Sequence, residues 1–125
     1  MLFDTSTIGS GSTISAASMD MVVSSTRNDD NDGIDFVSIV TSTPASNTAI
    51  VVGDFDQCGA INNPTEMHDT GERVDITTAS GTETYTFNST GISNVSKTGI
   101  SKFGAREGHD ILDNPPSFGA GSGDR

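Results

Sequence analysis

Only two leucines, Leu2 and Leu112, stand against ten isoleucines, eight valines and sixteen threonines, and this bias toward β-branched side chains constrains the fold more than any motif does. Two heavy atoms on Cβ lose rotamer freedom against the preceding turn of a helix but pack well on a pleated surface. Strands are favoured. Serine and threonine together supply 33 of the 125 residues and glycine another 14, the profile of short strands joined by polar turns. The apolar share of 32% is low for a globular domain, so a thin core is expected, or one completed from outside the chain. A length of 125 residues is that of one domain, and the expectation is a single module over residues 1–125.

Period-two alternation locates the strands. Residues 13–23 carry the longest run, with Ala17, Met19, Met21 and Val23 on one face. Residues 36–41 form a second, ended by Ser42-Thr43-Pro44, and 49–52 a shorter third before Gly53. Residues 73–77, 84–88 and 100–105 alternate in turn, and a short start lies at Leu2-Phe3. The expected fold is all-β, a jelly-roll-like antiparallel β-sandwich of about seven strands.

The formal net charge is −11, with six lysines and arginines against seventeen aspartates and glutamates. Nucleic acid as a partner has no electrostatic footprint here, and an anionic membrane surface would repel the chain. No stretch approaches the run of about eighteen apolar residues that a spanning helix requires. Cys58 is the one cysteine, which excludes an intrachain disulfide and is read as a small core residue. Met1 is followed at once by Leu2-Phe3-Asp4-Thr5, so any export signal is expected to be encoded elsewhere.

Three groups of residues invite chemistry. In the segment from Asn28 to Asp35, Asn28, Asp30 and Asp32 place oxygens at alternate positions with Gly33 next, the order that wraps a loop round calcium. The twelfth loop position falls on Ile39 where an EF-hand needs glutamate. A calcium loop closed by Asp35 and a distant carboxylate, and a plain solvated hairpin loop, both remain. Arg106-Glu107-Gly108-His109-Asp110 sets a base beside acids, but adjacent strand residues point to opposite faces, so no catalytic residue is assigned. Arg106 is expected to pair with a carboxylate such as Asp4, and Asp110 to fix a turn before Pro115-Pro116. Asn88-Ser89-Thr90 and Asn94-Val95-Ser96 match the glycosylation pattern. A sugar-binding sandwich needs an aromatic platform, and with no tryptophan, one tyrosine and six phenylalanines the sequence argues against one, Tyr85 being the ligand-binding residue named for it.

Leu2-Phe3-Asp4-Thr5-Ser6-Thr7-Ile8, followed by Thr13-Ile14-Ser15-Ala16-Ala17, resembles the opening of DNRLRE or disaggregatase-related β-sandwich modules, a carbohydrate-binding-module-like group of environmental and phage-associated surface proteins. Phe87-Asn88-Ser89-Thr90-Gly91-Ile92 and the stretch Lys97 to Asp110 are similar to the late segment of such modules. The resemblance implies further strands before the first residue and after the last, hence a fragment of a larger protein. It implies a non-catalytic structural or adhesive module at an extracellular or virion surface, with neighbouring modules of the same polypeptide and surface glycans as the expected partners. A carbohydrate-binding module appended to a secreted enzyme is the alternative.

Overall fold

The computed structural model describes residues 1–25 and 32–115. Their elements are β1 (Leu2–Asp4), β2 (Ser18–Val23), β3 (Phe36–Thr41), β4 (Val74–Asp75), β5 (Gly81–Thr86), a short helix α1 (Ser89–Asn94), β6 (Ile100–Glu107) and a final turn of helix α2 (Gly108–Leu112). Single 3-10 turns stand at Ser6–Ile8, Val52–Asp54 and Thr70–Glu72. One antiparallel sheet runs β1-β6-β3-β4 and a second is the pair β2-β5. The fold is all-β, as the β-branched composition requires, with six described strands where about seven were expected.

The strand register explains the core. Met19, Met21 and Val23 alternate inward along β2 while Ser18, Asp20 and Val22 face solvent. Opposite them, Tyr85 is paired with Met19. These side chains meet Ile39 of β3, Val74 of β4 and Phe103 of β6, with Met67 and Phe87 between. Burial of side chains of this size contributes on the order of 1.5–3 kcal/mol each. The sheets therefore face one another across a small, aromatic-rich centre, in which Phe87 and Phe103 have ring centroids 5.1 Å apart.

The two sides of this arrangement differ. On the β4 side the segment 65–68 runs along β3, with Thr41 N–H donating to Thr65 O and Met67 N–H to Ile39 O, and a bridge joins His68 to Phe87 at the end of β5. Glu72 also accepts from Thr86 N–H at 2.9 Å. This side is stitched shut. On the other side β1 and β2 are each paired with one neighbour among the described residues, and the sheet curls as a half-barrel with an open seam.

Several strand expectations are corrected. The run 13–23 carries no regular structure before Ser18; β2 begins there, with one backbone bond from Phe87 N–H to Ala17 O just ahead of it. Residues 49–52 form no strand: Ile50, Val51 and Val52 are exposed, and the chain enters the 3-10 turn at Val52. The buried Asp54 carboxylate accepts from Val51 N–H and Ala45 N–H, which curls the segment on itself and away from any sheet edge. The strand expected over 84–88 pairs through Thr86, Phe87 forms a bridge with His68, and helix α1 follows from Ser89. The Asn88 side chain accepts from the N–H groups of Thr90 and Gly91, an N-cap that satisfies two donors otherwise orphaned at a helix start.

Candidate functional site

Segments distant in sequence meet at α2. Gly108 opens this helix so close to the neighbouring chain that a Cβ would lie 1.9 Å from Ile34 O. Only glycine allows the approach. The Glu107 side chain accepts from His109 N–H as the helix cap, and its Oε1 is 2.8 Å from His109 Nδ1. On the other side of the ring, Nε2 lies 3.1 Å from Asp32 Oδ2. Burial, the largest single influence, opposes a charge on His109, yet its bonds to Glu107 and Asp32 together hold its pKa above the ordinary value.

Of the calcium-loop residues, Asn28 and Asp30 lie outside the described residues. Asp32 spends Oδ1 on Ile34 N–H at 3.0 Å and Oδ2 on His109. Asp35 is buried immediately before β3, where its carbonyl accepts from Ile76 N–H. Among the described residues no three acids, histidines or cysteines converge as a ligand set.

Arg106 is paired with Asp110, four residues on, and not with Asp4. Its remaining donors reach the carbonyls of Ala60 and Ile61, so it clamps the 58–61 segment onto β6. Asp4 instead accepts from Ser6 N–H and Ser6 Oγ, starting the 3-10 turn beside it. The turn before Pro115 belongs to Asp113, which adopts the left-handed conformation with φ of 51°, while Asn114 N–H donates to His109 O. His109 is buried and Asp110 exposed, so the two face different surroundings, although the chain turns into a helix there instead of continuing as a strand.

Tyr85 offers no platform for a sugar. It is 0% exposed and its hydroxyl donates to Val37 O at 3.0 Å; burial, with the Glu83 charge behind it, pushes its pKa up to about 12. The alternation of 84–88 could have indicated this, since Tyr85 and Phe87 share the inward face. The two glycosylation-pattern asparagines are likewise engaged: Asn88 caps α1 and Asn94 Nδ2 donates to Lys102 O at 2.8 Å.

A polar cluster that the sequence pattern did not reveal lies inside the fold. Ser38 Oγ is 2.8 Å from His68 Nε2 and 2.7 Å from Glu66 Oε2. The tautomer of His68 follows from its neighbours: Nδ1 faces the carbonyl of Asp69 and must carry the proton, while Nε2 accepts from Ile39 N–H at 3.1 Å. His68 is neutral. Arg73 binds Glu66 through two nitrogens and lies over the Phe36 ring, so its hydrogen bonds hold the Glu66 carboxyl below the ordinary range against the opposing effect of burial. Serine, histidine and glutamate are thus together, but in an order unsuited to nucleophilic attack. The carboxylate meets the serine instead of orienting the imidazole. Ser38 is moreover 0% exposed and His68 2%, and their bonds tie β3 to the segment that links the sheets.

The open seam holds a further candidate. A groove of about 430 Å3 runs between β1 and β2, within the range of about 300–1,000 Å3 usual for binding clefts. Phe3, Phe87 and Phe103 form its floor, with Met1, Ala17 and Met19 at its sides. Phe3 meets Phe103 edge-on at 6.0 Å and remains 43% exposed. Its lining is mainly apolar, so it can bury apolar groups and offers little to a charged ligand. Comparisons with protein-family models, curated proteins and solved structures returned no match for this chain.

Proposed function

We propose that this chain is a non-catalytic structural or adhesive β-sandwich module of an extracellular or virion-surface protein, acting through contacts with neighbouring modules. The open apolar groove beside two strand edges is the observation that carries the reading, because it offers a surface for contact and no convergent acid, base or nucleophile. The Ser38–His68–Glu66 cluster supports it in a second way, since its groups are buried and bonded to one another. The similarity to DNRLRE or disaggregatase-related modules adds the expectation of a multi-module surface protein. Affinity electrophoresis through a panel of polysaccharides tests the proposal. Unretarded migration in every glycan is expected. Retardation by one of them, relieved when Phe3→Ala removes the exposed ring, would replace it with a carbohydrate-binding module.

A further inference from the structure

The backbone at the open seam has a regular polarity. Phe87 N–H donates to Ala17 O, which makes Ala17 and Phe87 a hydrogen-bonded pair and, by the register of β2 with β5, makes Met19, Met21 and Val23 the next ones. Residues between such pairs turn their N–H and C=O groups to the other edge. Ser18, Asp20 and Val22 therefore present theirs outward into the seam. The same reasoning applies to β1, where Met1 and Phe103 exchange both backbone bonds and Thr5 N–H donates to Gly99 O, leaving Leu2 and Asp4 to face out. Among the described residues none of these groups has a backbone partner.

Natural edges are commonly blunted by lysine, proline or a bulge. Strand β2, Ser-Met-Asp-Met-Val-Val, has no lysine or proline and pairs with β5 residue for residue without a bulge. It borders the aromatic floor of the groove directly. A row of unused donors and acceptors beside an apolar trough matches one kind of occupant, an extended chain whose backbone pairs with β2 while alternate side chains drop onto Phe3, Phe87 and Phe103. The rim is acidic, with Asp4 and Asp20 both exposed, in a chain of net charge −11. Like charge disfavours a second copy and favours basic side chains on the outward positions of the occupant.

We infer that the β1–β2 seam binds an extended segment of a partner protein in which apolar residues alternate with lysine or arginine, added as a strand to the free edge of β2. This rests on the reading of the chain as a contact module and names its partner. The assay is fluorescence anisotropy with a labelled octapeptide, Lys-Val-Lys-Val-Lys-Phe-Lys-Val. Saturable binding is expected, weakened about tenfold or more by Ser18→Pro, which deletes one outward N–H and leaves the β5 ladder intact. Should Ser18→Pro fail to fold by circular dichroism, the same octapeptide N-methylated at alternate amides makes the equivalent test on the unaltered protein, with the same loss expected. Equal binding of the N-methylated peptide, or of a block peptide of the same composition, overturns the proposal, as does a lack of saturation at about 1 mM. Sedimentation showing a dimer that Ser18→Pro abolishes also overturns it and makes a second copy the occupant. None of these results alters glycan retardation, so the module reading stands or falls separately.

Discussion

Arg73 holds Glu66 with two nitrogens, Nε lying 2.9 Å from Oε2, while Oε2 also accepts from Ser38 Oγ at 2.7 Å. One carboxylate thus joins an exposed-side cation to the serine and histidine of the core.

The acid limb of the stability profile is expected to depend on this pair. The Arg73 hydrogen bonds lower the folded-state pKa of Glu66 from its ordinary value of 4.5. A lowered pKa contributes stability that is present above the ordinary value and lost as pH falls through the folded one. Thermal melts from pH 7 down to about pH 3 should therefore show a loss below about 4.5 that is shallower in Arg73→Met. At neutral pH the same variant should be less stable by about 1–3 kcal/mol, because Glu66 loses its charged partner. An unchanged acid limb would remove Glu66 from that role.

Gly108→Ala is expected to cost about 3 kcal/mol or more, since its Cβ would meet Ile34 O at 1.9 Å and backbone cannot yield as a side-chain tip can. Gly11→Ala, with nothing within 4 Å of the added carbon, should stay within about 0.5 kcal/mol of the parent. Urea denaturation of both variants makes the comparison.

Tyr85→Ala should act on folding and not on any ligand. Removing a fully buried ring whose hydroxyl bonds Val37 O is expected to cost about 3–5 kcal/mol, and Tyr85→Phe about 0.5–1.5 kcal/mol. A Tyr85→Phe variant of unchanged denaturation midpoint would show that the hydroxyl contributes nothing.

The expected calcium loop over 28–35 includes Asp32, and His109 already engages that carboxylate. A calcium ion there must take Asp32 from the imidazole. Millimolar calcium should raise the melting temperature relative to chelator by mass action, and more so in His109→Gln, whose amide competes less strongly. Coincident melts in both proteins would reduce the segment to a solvated turn.

The all-β class, the inward face of β2 and all six residues of β3 were legible in the sequence, because β-branched composition and two-residue alternation are local properties of a pleated chain. The same signals failed at 49–52, where three β-branched residues stand in the open because a strand exists only where a second edge is in reach. Helices α1 and α2 were hidden by their shortness; Asn88 and Glu107 cap them, and a cap is recognisable only once the chain is seen to turn. Burial of Tyr85, the pairing of Arg106 with Asp110 and the meeting of Ser38, His68 and Glu66 were decided by tertiary structure alone. Residues separated by some thirty positions become neighbours through strand order and register, and neither is written in local spacing. The open seam is the extreme case: its groove and outward-facing backbone belong to no single segment, arising only where β1 and β2 end two sheets side by side.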